Sequence, residues 1–192
     1  MIDTASAGNR LLEQLPEADR RRLSPWLERV KLKNHEVVVN AGEVIRYAYF
    51  PVTSILSSMI VMQDGTVVEA AAIGNEGMAG VGLLVDERTS PYRTVQQIAG
   101  ESLRISADRF RTALVESRAL RELVERFLLA LLRQGSQAAA CNLLHSVQRR
   151  TCNWLLTCAD RLRTDHFRIT QESLSEMLGV ARPTVTVTAG AL

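Results

Sequence analysis

The 192-residue sequence has few of the features that mark disulfide-rich, metal-binding or membrane-spanning proteins. Its three cysteines, Cys141, Cys152 and Cys158, are odd in number and show no C-x-x-C spacing, so neither a disulfide framework nor a metal site is indicated. The longest apolar run, residues 127–132, is too short to cross a bilayer, and the N-terminus lacks a signal-peptide pattern. We therefore expect a soluble, cytoplasmic protein with no membrane partner.

Charge and catalytic motifs are also scarce. The formal net charge is only +2, so a protein that coats nucleic acid through bulk charge is not expected, although a local basic patch is allowed. We find no Ser/His/Asp ordering, paired carboxylate motif or metal-ligand spacing, and the glycine-rich stretch lacks the lysine of a P-loop. The sequence thus predicts a protein that is not an enzyme.

The N-terminal half is predicted to be mainly β-structure. Residues 9–30 read as two short helices interrupted by prolines, and β-branched and aromatic clusters between residues 36 and 105 predict the short strands of a sandwich or barrel. Asp64-Gly65 indicates a hairpin with a type I′ turn, because that turn needs positive φ at both central residues. Residues 74–82 contain four glycines, so the backbone there is expected to take unusual angles or to approach another group closely.

After residue 106 the apolar spacing becomes helical. A continuous apolar stripe runs from Leu120 to Leu132 and is followed by small residues. Such a stripe could pack on its own sheet, but its length exceeds what a small β-domain needs, and small residues permit close approach of a second helix. We therefore favour a dimer interface formed by Leu120, Val124, Phe127, Leu128, Leu131, Gly135 and Ala138.

Residues 170–187 have the pattern of a helix-turn-helix. Thr170 can cap the first helix, Gly179 can supply its left-handed exit, and Pro183 suits the first turn of the second helix. We expect Val185 and Ala189 to pack back on the first helix. The outward residues could then enter the major groove, where an arginine can bridge guanine O6 and N7. The predicted DNA-contacting residues are Thr170, Gln171, Arg182, Pro183, Thr184, Thr186, Val187 and Thr188.

The order of these parts resembles that of the Crp/Fnr family of bacterial transcription regulators. The most similar stretches are residues 49–51, 74–78, 140–150 and 169–186. The resemblance implies an α+β fold with three parts. A sensor β-roll, a jelly-roll-like double-stranded β-helix with flanking helices, spans residues 1–116, a long dimerisation helix spans 117–145, and the helix-turn-helix domain spans 146–192. It also implies a homodimer that binds an inverted-repeat operator in double-stranded DNA, with half-sites ~34 Å apart, and RNA polymerase as a further partner.

The resemblance places an effector in the roll. The corresponding residues of this chain are Gly74, Asn75, Glu76, Gly77, Met78, Gly80, Arg93 and Thr94, and the ligand could be a cyclic nucleotide or another small anionic effector. In relatives that bind cyclic AMP, a glutamate holds the ribose and an arginine holds the phosphate. The position of that glutamate falls near Gly80 in this chain, and the nearest arginine, Arg93, lies a few residues beyond the position of the phosphate-binding arginine. We therefore do not expect ordinary cyclic-AMP binding. Iron–sulfur sensing is not expected either, because no cysteine precedes Cys141.

Two departures near the C-terminus limit what the resemblance implies about DNA. Pro183 and Val187 stand where relatives that read GC-containing sites carry glutamate and a second arginine, so base preference cannot be carried over. The sequence also stops at Leu192, before the β-hairpin wing that follows in the family, which predicts weakened DNA binding. The alternative is a dimeric ligand-sensing or interaction module that has lost effective DNA binding through truncation of the wing.

Overall fold

The structure is a computed structural model, and it describes residues 8–191. The outer ends of the first and last predicted domains, residues 1–7 and residue 192, lie outside the described residues. The helices are α1 (Arg10–Glu13), α2 (Glu17–Leu23), α3 (Ala107–Glu116), α4 (Arg118–Leu144), α5 (Val147–Leu162), α6 (Gln171–Leu178) and α7 (Arg182–Gly190). The strands are β1 (Glu28–Leu32), β2 (Val37–Val39), β3 (Tyr47–Pro51), β4 (Ile55–Val61), β5 (Val67–Ile73), β6 (Arg93–Ile98) and β7 (Gly100–Ser106).

The seven strands form two antiparallel sheets, which confirms the predicted α+β roll. One sheet has the order β1-β7-β3 and the other the order β2-β6-β4-β5. The core includes Phe50 and Phe110, both fully buried, with their rings edge to face at 5.9 Å between centroids. The helical prediction for residues 9–30 is wrong at its end, because Glu28 to Val30 begin β1 and pair with β7.

A hairpin joins β4 and β5 at the predicted place, but its turn differs from the predicted type. Gly65 has a φ of 84°, whereas Asp64 is not among the residues with positive φ, so a type I′ turn is excluded. The N–H of Gly65 donates to the carbonyl of Met62 at 3.0 Å, and the N–H of Met62 donates to the carbonyl of Thr66 at 2.8 Å. The loop is therefore a three-residue connection with a left-handed glycine at its end.

The glycine-rich stretch fulfils both parts of its prediction. Gly80 has a φ of 88°, in the left-handed region that favours glycine. A Cβ atom at Gly77 would overlap the ring of Phe127 on α4. The glycines thus let the roll turn sharply and let the long helix approach it closely.

The fully buried residues of helix α4 all lie in its first part, between Leu120 and Phe127. Ser117 caps it, with its Oγ accepting from the N–H of Leu120 at 3.0 Å. Leu120, Val124 and Phe127 are 2%, 0% and 8% exposed and belong to the core of their own roll. The dimer-interface prediction is therefore corrected for these three residues, because their apolar surface is already covered within one protomer.

The C-terminal helices pack against the sheet that contains β4 and β5. Cys158 of α5 is buried against Ile55, Ala72 and Ile98 of the roll, and Trp154, Leu162 and Phe167 pack around this cluster. The helix-turn-helix unit thus lies on the roll of its own chain. Within residues 8–191, no helix has the length and apolar content needed to cross a membrane.

Candidate nucleic-acid interface and effector cavities

The first helix of the helix-turn-helix forms as the sequence predicts. The Oγ1 of Thr170 accepts from the N–H of Ser173 at 3.1 Å and so caps α6. Gly179 ends the helix with a φ of 61°, the left-handed exit that a glycine supplies. Leu174, Met177 and Val185 then form a small buried core between α6 and α7.

The second helix, α7, begins at Arg182 and carries Pro183 in its first turn. Arg182, Pro183, Thr184, Thr186 and Val187 are all exposed, as predicted for residues that reach DNA. The side chain of Thr186 is hydrogen-bonded to α6, because its Oγ1 donates to the Oε1 of Gln171 at 3.0 Å. This bond ties the outward face of α7 to the start of α6.

Two assignments on α7 are corrected. Thr188 was predicted to face outward, but it is 9% exposed and its hydroxyl donates to the carbonyl of Thr184 at 2.8 Å. Ala189 was predicted to pack inward and is exposed instead. Val185 and Thr188, three residues apart, form the inward pair, because positions i and i+3 lie on the same side of a helix. Thr188 is therefore removed from the candidate DNA contacts.

The exposed face of α7 suits a polyanion. The positive end of the helix dipole lies at Arg182, and no carboxylate among residues 8–191 lies within 4.0 Å of its guanidinium nitrogens. The hydroxyl groups of Thr184 and Thr186 and the apolar side chain of Val187, which is 76% exposed, flank it. This set can contact phosphate, a guanine edge and a thymine methyl group.

A cavity of about 540 Å³ lies between the roll and α4. Met78, Gly80 and Thr94, three of the predicted effector contacts, line it. Among the described residues of its lining, Glu87 supplies the one charged side chain, and the side-chain polar groups include the hydroxyls of Ser58 and Ser136. An adjoining cavity of about 420 Å³ shares Gly80 and Thr94 and carries one charge of each sign, from Glu43 and Arg46.

The remaining predicted effector residues do not line either cavity and are corrected. Gly77 faces Phe127 of α4. Two of the residues contact Arg161 of α5: Glu76 forms an ion pair with it, and a Cβ atom at Gly74 would meet its side chain. The carbonyl of Asn75 accepts from the N–H of Arg10 at 2.7 Å. Arg93 lies on the other side of β6, near Glu172 and Glu176, because successive strand residues point to opposite faces. Among residues 8–191 the larger cavity therefore has no cation in its lining to hold a phosphate, whereas the adjoining cavity has Arg46.

Contacts between α5 and the roll form a polar junction that the sequence did not reveal. The Nε of Arg161, which is 8% exposed, lies 2.8 Å from the Oε1 of Glu76. The Nε1 of Trp154 donates to the Oε1 of Glu69 at 3.2 Å, and the hydroxyl of Ser57 donates to the other oxygen of that carboxylate at 2.5 Å. Burial raises the pKa of Glu69, and the two donors partly oppose the shift.

Comparisons with known proteins identify the fold. No protein-family model matches the sequence, and no curated protein matches it. Among solved structures, FixK2 from Bradyrhizobium japonicum is similar with a TM-score of 0.74 and 15% identity, over 86% of this chain and 84% of that one.

Two further structures agree with that result. CLP from Xanthomonas campestris, a c-di-GMP-responsive global regulator, has a TM-score of 0.72 and 14% identity, over 92% of this chain and 91% of its own. A transcriptional regulator of the Crp/Fnr family from Eubacterium rectale has a TM-score of 0.72 and 15% identity, over 95% of this chain and 85% of its own. The chain thus has the fold of the Crp/Fnr transcription regulators.

Proposed function

We propose that this chain is a homodimeric, DNA-binding transcription regulator in which a ligand-sensing β-roll is coupled through α4 to a helix-turn-helix. The observation that carries the proposal is the helix-turn-helix formed by α6 and α7, which we call the reading unit. Its second helix exposes Arg182, Thr184, Thr186 and Val187 along one face, while Val185 and Thr188 anchor the opposite face. The sensing module without DNA binding, the alternative function, has no need of such an ordered polar face.

Similarity to solved regulators supports the same proposal. Each of the three similar structures spans at least 86% of this chain, so the similarity extends beyond the roll. A regulator of this type would act in the cytoplasm on an inverted-repeat operator, with RNA polymerase as a further partner and no catalytic step of its own. Met78, Gly80 and Thr94 remain the candidate effector contacts in the roll.

The second half of α4 supports dimerisation. Beyond Phe127 the helix still borders the roll, because Leu131 is partly buried against the roll core. Five other leucines of this part are exposed in the single protomer: Leu128 39%, Leu129 47%, Leu132 65%, Leu143 87% and Leu144 80%. Gly135 and Ala138 are exposed among them, and a Cβ at Gly135 would meet no atom within 4 Å. An apolar, glycine-containing helix face of this kind fits the same face of a second copy.

Arg182 is expected to supply a large share of sequence-specific affinity. For Arg182→Ala we expect a loss of ~1–3 kcal/mol of binding free energy on a preferred DNA site, together with relaxed base preference at one position of each half-site. The measurement is fluorescence anisotropy on DNA selected from a random pool, at fixed salt concentration.

Arg22→Ala is the matched control for that titration. Arg22 is an exposed arginine on α2, in the sensor part of the chain, and its removal also lowers the net charge by one. The control should bind DNA as tightly as the unaltered protein. Equal affinity for the Arg182 variant and the control would contradict a reading role for α7.

A further inference from the structure

We propose that the ligand of the roll is a hydrophobic amine, an apolar molecule with one protonated nitrogen, bound in the cavity of about 540 Å³ between the roll and α4. This volume is within the usual range of small-molecule sites. The inference rests on the proposed sensing role of the roll and names the chemical class of its ligand. The charge of that ligand is opposite to the charge of the small anionic effector that the family resemblance implies.

The walls of the cavity are mainly apolar. The large apolar side chains come from both the roll and the long helix: Ile45, Ile73, Met78, Leu128, Leu131 and Leu132. Ala70 and Gly82 add little or no side chain to the lining and leave the space between these walls open. A ligand that fills this space gains affinity mostly by removing apolar surface from water, so its body should be apolar.

Glu87 gives the cavity a negative charge. It is half-buried and is the one charged side chain among the described residues of the lining. A Cβ atom at Gly82 would overlap the Oε2 of Glu87, so the carboxylate lies against the backbone of a residue that also lines the cavity. The N–H of Glu87 donates to the carbonyl of Gly82 at 3.0 Å and links the two residues. The carboxylate is thus placed to meet an ammonium group of a ligand in the cavity.

No cation of the described chain neutralises Glu87. The adjacent residue, Asp86, pairs with both Arg88 and Arg111, at 3.8 Å and 3.0 Å. No Lys, Arg or His nitrogen among residues 8–191 lies within 4.0 Å of the Glu87 carboxylate. Arg46 lines the adjoining cavity and not this one. Because a partly buried charge without a counter-ion is costly, this carboxylate favours a cationic ligand and disfavours an anionic one.

Two hydroxyl groups in the lining are compatible with the same ligand. Ser58 of β4 and Thr94 of β6 lie directly opposite each other in the sheet and are 8% and 5% exposed. Their hydroxyls form no hydrogen bond with any other group among residues 8–191. A hydroxyl oxygen accepts a hydrogen bond as readily as it donates one, so this pair offers acceptors to an ammonium group.

Octylamine is the probe for the site, and octanoate is its matched anion. Both are titrated calorimetrically into the full chain at pH 7 and constant ionic strength, where the amine is protonated as a lysine side chain is. An alkyl chain adapts to the shape of a cavity, so the comparison isolates the charged end. We expect octylamine to bind, and octanoate to bind more weakly by about tenfold or more, because Glu87 repels it. Butylamine should bind about 100-fold more weakly than octylamine, since it buries four fewer methylene groups.

Glu87→Gln should lower the affinity for octylamine by about tenfold or more and remove the preference for the amine over octanoate, because the charge of the acceptor is lost. The Glu87 carboxylate forms no ion pair among residues 8–191, so this variant should unfold at the same urea concentration as the unaltered protein. Glu43→Gln is the matched control, because Glu43 is an exposed carboxylate that lines only the adjoining cavity. Its affinity for octylamine should be unchanged.

The assignment is overturned if the unaltered protein does not bind octylamine, if octanoate binds as tightly as octylamine, or if Glu87→Gln binds octylamine with unchanged affinity. Loss of octylamine binding in Glu43→Gln alone would place the amine in the adjoining cavity and would also overturn it. Failure of the proposed regulator shows separately, in the Arg182 titration on DNA without any amine, and octylamine binding does not depend on that result.

Discussion

Leu132→Glu is expected to turn the dimer into monomers and to abolish tight DNA binding. Leu132 is 65% exposed in the protomer, and burial of a leucine side chain contributes ~1.5–3 kcal/mol. In a twofold interface each substitution occurs twice, so the dimer should lose ~3–6 kcal/mol, and its dissociation constant should rise by about 100-fold or more. Sedimentation equilibrium measures this directly, and anisotropy on the preferred DNA site measures the accompanying loss of affinity.

Val115→Glu is the control for this variant. Val115 is 80% exposed, but it lies on α3, away from the exposed leucines of α4. The control should sediment as a dimer and bind DNA normally. If Leu132→Glu also sediments as a dimer with an unchanged dissociation constant, the second half of α4 is not the interface.

Trp154→Ala is expected to loosen the reading unit from the roll and to lower the free energy of unfolding by about 3 kcal/mol. Trp154 packs against both the cluster around Cys158 and the cluster around Leu174, with its ring edge to face with Phe167 at 6.5 Å. It is partly exposed, so the lower end of the usual range for a tryptophan-to-alanine change applies. Urea denaturation followed by circular dichroism gives the value.

Two further substitutions separate the packing contribution of Trp154 from the contribution of its hydrogen bond to Glu69. Trp154→Phe keeps an aromatic ring but removes the donor to Glu69, and we expect it to cost about 1 kcal/mol. Leu156→Ala, on the same helix at 70% exposure, should cost little. If Trp154→Ala unfolds at the same urea concentration as Leu156→Ala, the reading unit does not depend on this contact with the roll.

Local chemistry made the helix-turn-helix predictable. The cap at Thr170, the left-handed exit at Gly179 and the proline in the first turn of α7 each depend on a few neighbouring residues, and all three form as expected. The inward face of α7 was less predictable, because burial preference alone favours alanine over threonine at an inward position. In the structure Thr188 is the buried residue and Ala189 is exposed. The hydroxyl of Thr188 donates to a carbonyl of its own helix.

The stripe on α4 shows a limit of periodicity. Its spacing predicted one apolar face, but periodicity alone does not tell which surface covers that face. The roll covers Leu120, Val124 and Phe127, whereas Leu132, farther along the same helix, is exposed. The same limit applies to Arg93, since one position along β6 decides whether a side chain faces the cavity or α6.

The junction between α5 and the roll had no local signal at all. Glu69 and Trp154 are 85 positions apart, and Glu76 and Arg161 come from equally distant segments. The family resemblance places effector contacts in the glycine-rich stretch, residues 74–82. In the structure, two of these glycines instead allow α4 and α5 to pack closely on the roll, because Gly77 contacts Phe127 of α4 and Gly74 contacts Arg161 of α5.

The stoichiometry and symmetry of DNA binding test the proposed regulator most directly. DNA fragments selected from a random pool by this chain should contain an inverted repeat with half-site centres ~34 Å apart, and sedimentation velocity should find two protomers on each duplex. One protomer on each duplex, with an unsymmetrical sequence or none enriched, would contradict the proposal that a paired α4 presents two α7 helices to one operator.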